Sequence, residues 1–379
     1  MKIVFIGGRD IHILGGIESY MYNLATQLVK MGHEPIVFCE SERNGLEWIN
    51  GFKVIHQKGF KSNLICKPWL GLKATLKTIR HGKSVDVIHY NAWPPSLSSP
   101  LARLFGIRTL MQGHGLEWQR SKYSPKQQKI LKFMERVTAH INPNLIMCSN
   151  DQTRYFKEQY NKQAVTIPTA INLPNLNSSN DQLLLQKYSL YSKGYFLFLA
   201  RLVKDKNPDY LIKAFVKSRH KDKKLVIAGN NNADMGYVNY LHQLADGCTD
   251  VVFTGAVYGE EKEALLRNAY TFCIPSTIEG LSISLLEAMS YSLPIIASDI
   301  NANKEVLEAD KALWVRPENE EDLIDAIEKS VENPCGIVLP LEYNYNYVKN
   351  NYTWEIVANQ YIDCLLYTSP SPRDMRRSR

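Results

Sequence analysis

Apolar residues recur along the first 170 positions in two alternating rhythms. Short runs dense in Val, Ile and Phe predict strands: KIVFIGG (2–8), PIVFCE (35–40), FKVIHQ (52–57), VDVIHYN (85–91), RTLMQGHG (108–115), NLIMCSN (144–150) and AVTIPT (164–169). Between them the apolar positions space out to the helical period. Residues 16–33 place Ile17, Tyr20, Met21, Leu24 and Leu28 on one face, and similar patterns lie near 67–81, 96–105, 125–140 and 151–160. At 171–193 the pattern lapses into a Pro-, Asn- and Ser-rich stretch with room for one short helix. It then restarts with YFLFLAR (195–201), KLVIAGN (224–230), VVFTGA (251–256), FCIPS (272–276), PIIASDI (294–300) and ALWVRP (312–317). Helical patterns lie near 208–218, 235–246, 259–269, 283–292 and 319–332, and Thr353 is a plausible cap for a last helix over 353–363.

Strands alternating with helices predict parallel sheets covered on both faces. The expected architecture is α/β, with two Rossmann-like doubly wound domains facing a central cleft and ligands at strand C-termini. The expected boundaries are a first domain over 1–170, a linker over 171–193, a second domain over 194–340, and C-terminal helices over 341–363 packing back toward the first domain. Residues 364–379 are expected to be foreign. CLLYTSPSPRD breaks from the amphipathic helix before it and is similar to a translated transposon-end sequencing adapter, which would place the natural end near Asp363.

Composition narrows the class. At 379 residues, 45% apolar and 22% charged, the chain is neither disordered nor collagen-like, and its length suits two domains. No apolar run reaches the roughly 18 residues of a membrane span. The N-terminus reads as a first strand, not a signal peptide. Seven cysteines without C-x-x-C or Cys/His zinc spacing predict reduced thiols and a cytoplasmic protein. Charge is uneven: residues 1–170 carry a net +12 and residues 171–363 a net −8. That asymmetry points the first half toward an anionic partner, or else reflects solvated surface charge. No recognition motif accompanies the charge, so nucleic acid is a poor partner.

The chemistry concentrates at predicted strand ends. No G-x-G-x-x-G follows either first strand, which removes the dinucleotide fingerprint. Gly15 and Gly16 open the first helix; they form a turn, or they bring backbone N–H groups to a phosphate. In FCIPSTIEGLSISLLEAMS a strand is followed by Glu279 and Gly280, and a helix begins near Leu281–Ser282 with Glu287 about two turns in. Free amides of a helix start between two carboxylates suit a sugar nucleotide, with the amides on the diphosphate and the carboxylates on hydroxyls. Arg201 and Lys206 follow the second half's first strand, and two cations there can neutralise a diphosphate leaving group. Gly229 ends the next strand at the same edge. There is no D-x-D, so no seat for an Asp-bound metal is expected, and the site is expected to hold no metal and no cofactor beyond the donor.

Over residues 1–363 these motifs resemble the retaining glycosyltransferases of family 4, with the GT-B fold. The resemblance rests on Gly15-Gly16, the strand end at His114, Arg201 with Lys206, the Glu279/Glu287 pair and the final Trp354-Glu355 helix. GGIESY (15–20) and HGLEWQRSKY (114–123) further resemble a rhamnosyltransferase-like subgroup. The resemblance implies that His114 and Glu279 act catalytically at the transferred sugar. It implies that Gly15, Gly16, Arg201, Lys206, Gly229, Gly280, Leu281, Ser282 and Glu287 bind the donor, and that 255–261 passes the nucleobase. Glu117, with Trp118 and Arg120, is assigned to the acceptor, although Glu117 also stands as a nucleophile for a covalent route. In IPTAIN, Thr169 and Ala170 replace the family's Asn-Gly, so a ligand contact there is in doubt.

Two basic, apolar-studded segments, 61–83 and 120–136, suit an anionic membrane surface. The expected activity is transfer of a hexose or deoxyhexose, rhamnose among them, from a nucleoside diphosphate sugar to a lipid-linked saccharide. The setting would be surface polysaccharide assembly at the inner face of the membrane. A nucleotide-sugar epimerase of the same fold and a non-catalytic sugar-nucleotide-binding partner stand as alternatives.

Overall fold

The computed structural model describes residues 1–13, 15–60, 63–81, 84–121, 123–175, 180–220, 222–232, 234–332 and 341–367. Lys61, Lys83, Lys122 and Cys335, all used in the sequence reading, lie outside the described residues, as do 368–379. The chain forms two compact units. One comprises Met1–Gln119, Tyr123–Ala170 and the chain from Trp354; the other comprises Ile171–Thr353 with Arg120 and Ser121.

The first unit holds β1 (Lys2–Ile6), α1 (Gly16–Lys30), β2 (Glu34–Ser41), β3 (Gly45–Ile49), β4 (Phe52–Lys58), α2 (Asn63–His81), β5 (Val87–Asn91), α3 (Ser99–Leu104), β6 (Arg108–Gly113), α4 (Pro125–Ile141), β7 (Leu145–Met147), α5 (Asn150–Tyr160) and β8 (Val165–Thr166). Its sheet runs β3-β4-β2-β1-β5-β6-β7-β8. All pairings are parallel except β3 with β4. The β3–β4 hairpin was not expected from the sequence. Its strand GLEWI is short and largely exposed, so only the turn betrays it: Asn50 and Gly51 both have positive φ, as a two-residue hairpin turn requires.

Alternate residues of β1 feed opposite faces. Ile3 and Phe5 pack with Tyr20, Met21 and Leu24 of α1, whereas Val4 and Ile6 pack with Leu70, Ala74 and Ile88. Burial on both faces is why this strand is an unbroken apolar run.

The second unit holds α6 (Asp181–Gln186), β9 (Tyr195–Leu199), α7 (Pro208–Lys217), β10 (Lys224–Ala228), α8 (Met235–Leu244), β11 (Val251–Gly255), α9 (Gly259–Asn268), β12 (Thr271–Ile274), α10 (Ile283–Ser290), β13 (Ile295–Ser298), α11 (Asn301–Lys304), β14 (Leu313–Val315), α12 (Glu320–Glu332) and α13 (Leu341–Asn351). The sheet is wholly parallel in the order β11-β10-β9-β12-β13-β14. Chain order reverses between β9 and β12, the place where a doubly wound sheet opens a crevice beyond its strand ends.

The last helix, α14 (Trp354–Tyr367), joins the first unit, where Val357, Ala358 and Tyr361 enter the same core as Phe5 and Leu24. It runs four residues past the expected end at Asp363, and Leu365 is fully buried in that core. The expected break at Cys364 rests on the likeness of CLLYTSPSPRD to a translated adapter, which concerns the origin of the segment and not its helix geometry.

Candidate active site

The second unit gathers most of the expected donor residues at the end of β9 and β12. After β9 the chain passes exposed Arg201, makes one 3-10 turn at Lys204–Lys206 and reaches Asn207. Asn207 adopts a left-handed conformation (φ 51°), which Asn tolerates better than most residues. Its buried side chain donates from Nδ2 to the Pro275 carbonyl at 3.0 Å, just past β12. Pro208 then starts α7 with its φ already set for a helix. A second stitch runs back, since the Thr277 amide donates to the Asp205 carbonyl at 3.0 Å. These bonds hold the two loops together, and Lys206 Nζ forms an ion pair with Glu279 Oε1. The Glu279 side chain is only 7% exposed.

Beyond Glu279 the chain turns through Gly280 and Leu281 to Ser282, whose Oγ caps α10 by accepting from the Leu285 amide at 3.3 Å. The helix therefore begins at Ile283. Glu287 stands little more than one turn in, not two, because the start lies one or two residues later than the spacing suggested. Glu287 pairs with Lys262 Nζ of α9 at 2.6 Å. Each carboxylate thus has a lysine partner. The sequence reading missed Lys262, Asn207 and Thr277. Lys262 directly follows 255–261, and Asn207 directly follows Lys206, but neither partner strand end could be known in advance.

Gly229 permits the same convergence. A Cβ there would lie 1.9 Å from the Ala200 carbonyl oxygen, and its amide donates to the Gly255 carbonyl at 2.8 Å. Glu261, at the end of the expected nucleobase segment, pairs with Lys187 at 2.6 Å. A cavity of about 560 Å³ opens on another side of this loop, among Lys204, Asn207, Tyr210, Tyr237, Tyr240 and Asp234. None of the expected donor residues lines it, so its size does not mark it as the donor site.

In the first unit the strand order also reverses beside β1, between β2 and β5. Gly15 is the N-cap of α1 and offers no side-chain cap. The space it faces holds a carboxylate: Glu18 is buried, accepts from the Arg9 amide at 2.6 Å, and would meet a Cβ on Gly15 at 2.1 Å. A phosphate at this helix start would share it with Glu18, which the sequence reading did not single out. His114 follows β6 and donates from Nε2 to Asn91 Oδ1, at the end of β5, over 3.0 Å. The Tyr20 ring meets it edge-on, with ring centroids 5.0 Å apart.

Glu117 and Trp118 sit in a short 3-10 turn of the first unit, whereas Arg120 is grouped with the second. The Tyr123 hydroxyl donates to Glu117 over 3.5 Å, and Lys132 Nζ stands 4.3 Å above the Trp118 ring.

Residues 14–174 match the family described as Glycosyltransferase Family 4, and residues 184–354 match Glycosyl transferases group 1. The chain is 25% identical over 368 residues to the phosphatidylinositol N-acetylglucosaminyltransferase gpi3 subunit of Schizosaccharomyces pombe, covering 91% of this chain and 76% of that protein. It is also 25% identical to the uncharacterized glycosyltransferase MJ1607 of Methanocaldococcus jannaschii, covering 93% and 94%. Among solved structures, sucrose-phosphate synthase from Thermosynechococcus elongatus superposes with a TM-score of 0.83 at 18% identity, over 100% of both chains.

Proposed function

The chain is a glycosyltransferase of GT-B type, carrying a family 4 domain followed by a group 1 domain, and from that premise we propose that it transfers a hexose or deoxyhexose from a nucleoside diphosphate sugar to a lipid-linked saccharide, as a step in surface polysaccharide assembly. The observation that carries the reading is the Lys206–Glu279 ion pair at the reversal of the second sheet, with the start of α10 leading from it to Glu287. A diphosphate takes Lys206 and Arg201 as counter-charges, and the carboxylate of Glu279 turns to the sugar hydroxyls. Glu287 accepts from the ribose. Amides at 280–282 line the phosphates, and Gly229, without a side chain, lets the backbone come close to the donor; Gly15 and Gly16 are assigned the donor as well, and His114 the transferred sugar.

Charge that develops on the leaving phosphate is met by cations and amides already in place, the kind of pre-set electrostatics that contributes most to such catalysis. The transfer proceeds with retention, the leaving phosphate assisting the acceptor hydroxyl on the same face, and without a metal.

The lipid-linked acceptor is supported by exposed apolar side chains on α2. Ile65, Trp69, Leu72 and Leu76 line one stripe, with Lys73, Lys77 and Arg80 beside it, whereas Lys67 turns inward to Glu40 and the Gly8 carbonyl. On α4, exposed Ile130 and Phe133 stand among Lys126, Lys129, Lys132 and Arg136. Among the described residues no helix is long and apolar enough to cross a membrane. The reading therefore places the protein peripherally, at the inner face. The gpi3 relative, by its name, acts on phosphatidylinositol. Glu117, Trp118 and Arg120 are assigned to the acceptor.

A panel of nucleotide sugars incubated with membrane extract, read by mass spectrometry, tests the proposal. Gain of one sugar mass on a lipid-linked glycan, lost in Glu279→Ala and Lys206→Ala, is expected. An isomerised sugar from donor alone, or full turnover in both variants, overturns it.

A further inference from the structure

Outside these residues, the first unit gathers a set of imidazole and carboxylate groups that the transfer does not use. His12 lies on the loop between β1 and α1, Glu47 on β3 and His56 on β4. In the hairpin register Gly45 faces His56 and Glu47 faces Val54, so Glu47 and His56 are diagonal neighbours across the strands. Both imidazoles converge on one oxygen: Glu47 Oε1 lies 2.8 Å from His12 Nε2 and 2.6 Å from His56 Nε2. The two rings are nearly parallel, 11° apart, and the three ligand atoms all lie within 4.8 Å of one another.

We propose that His12, Glu47 and His56 form a binding site for a divalent transition metal, with zinc as the best match, which fastens the β1–α1 loop to the β3–β4 hairpin. Two imidazoles and one carboxylate are a ligand set zinc accepts, with a water completing the tetrahedron. Tetrahedral ligands about 2.0–2.1 Å from the ion stand roughly 3.4 Å apart, so the present contacts need to open by under about 1 Å. The exposed His12 loop can supply its part of that movement, and the largely exposed strand β3, which carries Glu47, the rest.

A second observation points the same way. A histidine that gives one ring nitrogen to a metal usually offers the other to a carboxylate. Behind His56, Nδ1 lies 3.6 Å from Asp10 Oδ2. Asp10 is itself held by the Ser41 hydroxyl at 2.7 Å and by the His12 amide at 3.1 Å. Asp10 is a positioning residue: from 3.6 Å its charge draws on His56 Nδ1 beyond hydrogen-bond length and leaves Nε2 toward Glu47. The Cys39 thiol also lies near Nδ1, at 3.4 Å, on the side away from the three ligand atoms. None of the three ligand residues is assigned a role in transfer, although the loop that carries His12 leads into Gly15 and Gly16.

The test is titration of chelator-treated protein with zinc chloride by calorimetry, with cobalt(II) as a spectroscopic stand-in. One zinc per chain is expected, together with a tetrahedral cobalt spectrum and a rise in Tm that EDTA reverses. His12→Ala, Glu47→Gln and His56→Ala should each abolish the tight event, and Asp10→Ala should weaken it about 10–100-fold, with partial rescue in Asp10→Asn. His140→Ala, at an exposed histidine on α4, should leave it unchanged. His12 is exposed, so His12→Ala is expected to keep the native circular dichroism and isolate the ligand effect. No stoichiometric binding, binding that persists in the His12 and His56 variants, or a thiolate-to-cobalt charge-transfer band overturns the assignment.

Discussion

At the scale of single residues, the Lys206–Glu279 pair is where the transfer reading is most exposed to test. Removing one pre-set counter-charge from a developing anion costs about 10²–10³ in rate. Lys206→Ala should therefore lower kcat/KM by that factor, and Lys206→Arg should recover part of it, in a steady-state assay with the identified donor.

His89 makes a prediction about stability instead. Its ring lies between Phe5 and Tyr361, and burial pushes its pKa from 6.5 down to about 3. The folded form keeps it neutral while the unfolded chain protonates it below 6.5, so the unfolded state binds more protons between those values. Stability contributed here is full above pH 6.5 and is lost as pH falls toward 3, by about 2 kcal/mol at pH 5. Urea unfolding from pH 7 to 5 should show this slope, and His89→Gln should flatten it. At this scale Arg201, Lys206 and Glu279 were legible because they lie in the loops that follow apolar strands, and Glu287 because of its spacing from Glu279 into the next helix. Lys262 and Glu18 were not, because their partners are fixed by how helices settle on the sheet.

At the scale of elements, strand ends are set by close backbone contact. Gly229→Ala forces a methyl against the Ala200 carbonyl, next to Arg201, and should cost about 1–3 kcal/mol in urea unfolding as well as impair donor binding. The α2 stripe carries a different expectation. Trp69→Glu with Leu76→Glu changes two exposed positions, so folding should persist while sedimentation with anionic liposomes falls sharply. Wild-type sedimentation should itself weaken with salt, and salt-independent or absent sedimentation counts against a membrane face. The periodicity of α2 was readable, but its exposure was not: an apolar helical stripe has the same pattern whether it meets a sheet or stays uncovered. The β3–β4 hairpin escaped for the opposite reason, since its edge strand buries too little to show a period.

At the scale of the whole molecule, the chain leaves its first unit at Ala170 and returns to it at Trp354. The returning helix completes the core around Phe5, Tyr20 and Leu24. Tyr361→Ala should destabilise that unit by about 3–5 kcal/mol, seen as faster proteolysis of its strands at intermediate urea.

By itself the sequence determined the alternation of strand and helix, the break near 171–193 and the charged residues at strand ends, because each is written in neighbours a few positions apart. Tertiary structure alone decided which strand ends meet. The reversal of strand order put residues 206 and 279 in one ion pair, and a turn of two residues, Asn50 and Gly51, put His56 beside Glu47. Those pairings depend on sheet order and hairpin register, which are settled by burial summed over the whole sheet and leave no local trace.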